Sequence, residues 1–252
     1  MTALKSGSLE APRLLRVGIS MDTDVQANLA SVLARIGQAA GRSRRDPAAI
    51  RLVAVTKTVS EDVILEAVQA GVDCIAENYV QDARIKKERI GSRVQWHLIG
   101  HLQKNKAKQA IGLFDVIETV DDEFLAVALE RFSGETGKVL DVLVQVNLSR
   151  ESSKSGAPPE NVLPLMERIC GLRSLRCVGL MTLPPYFEDA ERTRPYFSAL
   201  RKLRDELAEK GIPGPCLREL SMGMSSDFDV AIEEGATIVR VGTALFGARK
   251  TA

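Results

Sequence analysis

Residues 52–76 read LVAVTKTVSEDVILEAVQAGVDCIA. An apolar run, Leu52–Thr56, gives way to a polar–apolar stretch of helical period at Glu61–Ala70, and a second apolar run follows at Asp73–Ala76. Such runs lack the in–out alternation of a strand with one wet face, so they read as strands covered on both sides, which implies parallel pairing. The same grammar continues at Val94–Ile99, Asp115–Thr119, Val139–Asn147, Cys177–Thr182, Glu219–Met222 and Thr237–Val241. Helical stretches at Asp122–Arg131 and Arg194–Lys210 fall between them. The first four strand starts lie about 21 residues apart, the length of one strand–helix unit. Eight such strands with no Gly/Pro-rich break predict a single (β/α)₈ TIM barrel of the α/β class over residues 21–252. An extra N-terminal helix at Asp22–Gly41 and a flexible start over 1–20 precede it. The rival, a doubly wound open sheet, calls for a GxGxxG turn after the first strand, and none stands there.

Composition narrows the function. The chain has 252 residues, 34 Lys plus Arg against 33 Asp plus Glu, a formal net charge of +1, 45% hydrophobic and 27% charged residues. Near-balance argues against a dedicated nucleic-acid or membrane-surface protein, which needs a basic excess. Cys74, Cys170, Cys177 and Cys216 form no CxxC pair, and two histidines are too few for a Cys/His cage, so no metal site is expected. No signal peptide or membrane span is legible, and the expected setting is a reducing cytoplasm with a monomeric protein.

In a barrel of this kind the chemistry sits where strands pass into the following loops. The first strand ends in Lys57. A partly desolvated lysine amine loses charge readily and can form a Schiff base with a carbonyl; a snorkelling lysine or an ion pair with Glu77 fits the residue equally well. The seventh and eighth strands run into SMGMSSD and VGTALFG, where Gly223 and Gly242 let backbone N–H groups approach an anion and Ser221 and Thr243 add hydroxyls. Ser225 and Ser226 also fit as helix caps. Arg240, inside the last strand, must meet a strong acceptor: a ligand, or Glu77, Glu219 or Asp229. Lysine, anion cradle and arginine together suit pyridoxal 5′-phosphate (PLP).

The segments VAVTK, AENYVQDA, WHLIGHLQKNK, GLMTL, LSMGMSSDF and VRVGTALFG resemble, in that order, the pyridoxal phosphate homeostasis proteins, from about Ile50 to Arg249. Leu98 and Thr58 depart from the family's usual residues without touching the proposed cofactor chemistry. The resemblance implies a barrel like the N-terminal domain of alanine racemase, fold type III among PLP proteins, with an internal aldimine on Lys57. It further implies Arg240 at the pyridine nitrogen, Asn78 near the ring, and phosphate contacts from Ser221, Gly242 and Thr243, with Gly223 in the cradle. The implied function is intracellular PLP (vitamin B6) homeostasis: holding the cofactor without catalysis and passing it to PLP-dependent apo-enzymes. Two alternatives share parts of the site. An amino-acid racemase would need a second acid/base, and Tyr79, Tyr186 and Tyr196 offer no evident one. A Schiff-base aldolase would use Lys57 and the cradle without PLP. His97 reads as a hydrogen-bonded structural residue, and the run Gln103–Lys108 as a solvated helix start that could also meet acidic or phosphate-bearing surfaces.

Overall fold

The computed structural model describes residues 24–151 and 154–248, so the expected flexible segment 1–20 lies outside the described residues. Eight strands run β1 (Arg51–Val55), β2 (Cys74–Glu77), β3 (Gln95–Leu98), β4 (Val116–Val120), β5 (Leu140–Val146), β6 (Leu175–Thr182), β7 (Glu219–Met224) and β8 (Ile238–Val241). Every neighbouring pair is parallel and β8 returns to pair with β1, with Val53 opposite Arg240, so the sheet closes into the expected barrel. Helix α1 (Val25–Arg42) precedes the barrel. Between and after the strands lie α2 (Glu61–Gln69), α3 (Val80–Ile90), α4 (Ala107–Leu113), α5 (Glu123–Thr136), α6 (Pro159–Cys170), α7 (Arg194–Glu209), α8 (Phe228–Glu233) and α9 (Thr243–Phe246).

Strand alternation sorts the side chains into two apolar layers. Ala54, Ile75, Trp96, Leu98, Ile117, Val142, Leu180, Leu220, Val239 and Val241 point outward beneath the helices. Val53, Cys74, Ala76, Val116, Leu143, Met181 and Ile238 fill the barrel itself. Trp96 is fully buried in the outer layer, where its indole N–H donates to the Gly91 carbonyl at 2.9 Å. This filling makes the barrel a packed core and leaves its C-terminal mouth for chemistry.

Helix α1 starts at an Asp24 cap, whose side chain accepts from the Ala27 N–H, and buries Val25, Leu29, Val32 and Ile36. It packs on α8, α9 and α2, across the β8–β1 seam. The sequence reading ended this helix at Gly41; it runs through Gly41 to Arg42 and stops at Ser43, whose N–H and hydroxyl both reach the Ala39 carbonyl. Ser43 thus satisfies the terminal carbonyls that a glycine terminus would have left to the following turn.

Among the described residues no helix is long and apolar enough to cross a membrane, and no group of three His, Cys, Asp or Glu side chains is placed to hold a metal ion.

Candidate functional site

Lys57 follows Val53 and Val55 at steps of two, in the turn that ends β1, and is half-buried. The Glu77 partner considered for it is engaged elsewhere. Glu77 Oε1 accepts from the Lys86 ammonium at 2.6 Å and from the Thr56 hydroxyl at 2.6 Å, and Lys86 also donates to the Thr56 carbonyl at 2.7 Å. Glu77 points outward under α3 because it is one step out of phase with Cys74 and Ala76, whereas Asn78 returns to their phase. Asn78 is held from behind by Gly100: a Cβ there would stand 2.1 Å from the Asn78 carbonyl oxygen. The side-chain oxygen Oδ1 of Asn78 is buried with no hydrogen-bond partner among the described residues.

Arg240 is fully buried in the barrel, and none of the partners weighed from the sequence meets it. Asp229 pairs with Arg35, and Glu219 with Arg218 and the Thr237 hydroxyl. Its carboxylate is Glu118, 3.7 Å away, which β4 projects inward in phase with Val116. Arg240 donates through Nη2 to the Thr182 carbonyl at 2.8 Å and through Nη1 to the Ser221 hydroxyl, while its Nε has no partner among the described residues. Burial lowers the guanidinium's pKa, against the pull of Glu118 and Asp227 toward the charged form. Glu118 was not singled out from the sequence, although a glutamate in the middle of VIETV was the available signal.

Glu118 organises the barrel's polar centre. One oxygen meets His97 Nδ1 at 2.6 Å and the other accepts from the Ser221 hydroxyl at 2.5 Å. Burial works against a charged Glu118, but the hydrogen bond and charge of His97, then Arg240 and Ser221, hold its pKa below the usual range. Burial likewise opposes a proton on the His97 ring, while the Cys74 sulfur and the Glu118 carboxylate favour it and prevail, raising its pKa to about 10. The stabilisation from protonated His97 is therefore complete below an unfolded-state value near 6.5 and fades as pH rises through about 10. Melting curves of the wild type and His97→Asn between pH 6 and 10 should show the widest gap at the acid end. A gap that stays constant or widens with pH would contradict the pairing.

The loops after β7 and β8, where the sequence places an anion cradle, meet at the Ser225 hydroxyl. Gly223 sits at φ +93°, and a Cβ there would come within 2.6 Å of the Ala231 side chain, so the position admits glycine alone. The backbone N–H groups of Gly242 and Ala244 converge on the Ser225 hydroxyl oxygen at 3.1 and 3.2 Å. Two N–H donors aimed at one oxygen are the arrangement that a phosphate oxygen requires. Thr243 is exposed beside them. Ser225 thus ties the two loops together, and neither it nor Ser226 caps α8; Asp227 holds that place and accepts from the Met224 N–H at 2.6 Å. Ser221 lies two residues below Gly223 on the same inward phase, about 6.5 Å deeper. Its hydroxyl there donates to Glu118 and accepts from Arg240.

Of the remaining polar residues at the mouth, His101 is exposed, with its Nδ1 3.9 Å from Asp121. Asn147 holds its own loop through the Glu151 and Lys154 carbonyls. Tyr79 and Tyr186 are exposed, and Tyr196 stacks on Phe187 with ring centroids 6.1 Å apart.

The family model of the alanine racemase N-terminal domain matches residues 27–250. The pyridoxal phosphate homeostasis protein of Aquifex aeolicus is 44% identical over 223 residues, covering 88% of this chain and 97% of that protein. The structure of PipY from Synechococcus elongatus PCC7942 with PLP bound aligns with a TM-score of 0.78 at 36% identity, covering 89% of this chain and all of that one. Alanine racemase of Clostridium difficile 630 aligns with a TM-score of 0.67 at 16% identity over 89% of this chain and 58% of its own length, a likeness of fold alone. By its 44% identity to such a protein over 88% of its length, the chain belongs to the family of pyridoxal phosphate homeostasis proteins, whose barrel matches the alanine racemase N-terminal domain model.

Proposed function

We propose that this protein binds PLP at the barrel mouth and serves as a holder and donor of the cofactor in PLP homeostasis, as the names of its relatives suggest. The observation that carries the reading is the Nε of Arg240: a donor buried in the barrel, without a partner among the described residues, on the strand that pairs with β1, whose following turn carries Lys57. A buried unsatisfied donor costs about 1–3 kcal/mol, and a ligand acceptor at that position would recover it. Asn78 Oδ1 offers a second unsatisfied group. The cradle of Gly223, Ser225, Gly242 and Thr243 suits a phosphate. The residues therefore fit PLP, which when bound supplies an aldehyde that a lysine amine can take covalently and reversibly.

Each residue then has a task. Lys57 supplies the amine. The backbone N–H groups of Gly242 and Ala244, with the Ser225 and Thr243 hydroxyls, bind the phosphate. Ser221, the Thr182 carbonyl and Glu118 orient Arg240, so that Nε presents a proton that the guanidinium does not surrender. A fixed cation at the ring nitrogen opposes protonation there and weakens the electron withdrawal on which α-proton removal depends. Tyr79, Tyr186 and Tyr196 stand exposed or stacked, which disfavours the racemase alternative.

The test is to incubate PLP-loaded protein with L-amino acids in deuterated water, and separately with an apo-aminotransferase. We expect α-proton exchange far below ordinary enzyme turnover of roughly 1–10³ s⁻¹, and reactivation of the apo-enzyme faster than spontaneous PLP release. Exchange or racemisation within the enzymatic range would overturn the reading.

A further inference from the structure

A groove runs along the outside of the barrel between α5 and the 3₁₀ turn Lys104–Lys106 that leads into α4. It has a volume of about 1040 Å³, with Lys104 on one wall and Phe124, Val127, Arg131 and Phe132 on the other. Helix α5 carries two apolar stripes. Leu125, Ala126 and Leu129 are buried against the barrel, while Phe124 and Val127 face outward at 73% and 42% exposure. A phenylalanine so exposed, one turn from an exposed valine, is an unpartnered helix face.

Two cations on this face, Lys104 and Lys108, have no acidic partner among the described residues, whereas Arg131 is shared with Glu135. Lys104 stands 5.2 Å over the Phe124 ring, Lys108 6.0 Å and Arg131 4.1 Å over the Phe132 ring. Neither Lys104 nor Lys108 forms a salt bridge among the described residues. The nearby acids are already engaged: Asp122 caps α5 by accepting from the Leu125 N–H, Glu123 pairs with Arg168 at 3.0 Å, and Glu135 lies 3.8 Å from Arg131. The run Gln103–Lys108 contains no aromatic residue of its own; α5 supplies the rings.

We propose that this groove docks an acidic amphipathic helix of a partner protein. Two helical elements flank the groove, and Phe124 to Phe132 spans about 12 Å, two turns of a docked helix. Its aliphatic side chains would lie on Phe124, Val127 and Phe132, and its carboxylates would meet Lys104 and Lys108. The formal net charge of +1 lacks the basic surplus that nucleic-acid binding draws on, which favours an acidic protein segment. The groove opens where β3 and β4 end, so a helix seated there lies beside the barrel mouth. This docking is independent of the cofactor reading.

The test uses the full chain and a fluorescent 16-residue helical peptide with leucines at i, i+3, i+4 spacing and glutamates elsewhere. A lysine-for-glutamate twin and an oligouridine of similar length serve as comparisons. The acidic peptide should bind saturably, weaken with salt, and lose roughly tenfold or more in affinity to Phe124→Ser and to Lys104→Glu/Lys108→Glu. Both variants change exposed side chains, and circular dichroism with melting curves establishes that they fold. Absence of acidic-peptide binding, equal binding of the lysine twin, indifference to both variants, or oligouridine binding that the same variants abolish would each overturn the proposal.

Discussion

Lys57→Ala is expected to yield a folded protein that no longer takes PLP covalently. Purified wild type, loaded and reduced with borohydride, should carry one pyridoxyl adduct on the Lys57 peptide; the variant should carry none and lose the visible absorbance of the loaded protein. The loss should be nearly complete because the lysines within reach of a mapping error are otherwise occupied. Lys86 is buried on Glu77, Lys87 donates to the Leu113 carbonyl, and Lys104 lies over Phe124 outside the barrel. The proposed phosphate cradle after β7 and β8 is untouched by the change, so weak non-covalent PLP binding should persist in the variant. An adduct mapping to Lys86, Lys87 or Lys104 would place the amine elsewhere and remove the basis of the proposed site.

The largest expected loss of stability belongs to Lys86→Met. The variant keeps the length and apolar stem of Lys86 but strands Glu77, fully buried, with the Thr56 hydroxyl as its remaining hydrogen-bond donor. Breaking a buried pair from one side typically costs about 3–5 kcal/mol. In a protein of this size that is a fall in melting temperature on the order of 10 °C. Adding Glu77→Gln should recover part of the loss, since the uncompensated charge is then gone. A single variant that melts within about 1 °C of wild type, by the same scaling, would show that the pair contributes little. The Lys86 ammonium also holds the Thr56 carbonyl, the peptide group just before Lys57. The single variant should therefore weaken PLP binding even at temperatures where it remains folded.

How far the sequence reached depended on whether a signal was local. Strand runs such as LVAVT and the strand–helix spacing are local, and they yielded the barrel with boundaries off by a residue or two, as at β2 and β7. The positions of Lys57, Arg240 and the two glycine-bearing loops followed from strand order, because the mouth of a parallel barrel is defined by topology. Pairings were not legible. Glu118, Ser221 and Arg240 meet across the barrel interior from β4, β7 and β8, and no spacing in the chain announces that meeting. Likewise the spacing of Glu77 and Lys86 does not announce their ion pair, which depends on β2 turning Glu77 outward under α3. For Ser225 the loop and the cap fit equally well from the sequence, because the deciding fact, its contact with the Gly242 and Ala244 N–H groups, is long-range.

The β8–β1 seam has a consequence for the birth of the protein. Val53 and Arg240 sit side by side, yet they come from the first and last strands to be synthesised. A nascent chain that has finished seven strands already exposes Lys57 but has neither Arg240 nor the Gly242 loop to hold a ligand beside it. For the proposed site, affinity for the cofactor is therefore expected only once the eighth strand closes the ring. Until then the lysine is an ordinary amine in a half-built sheet.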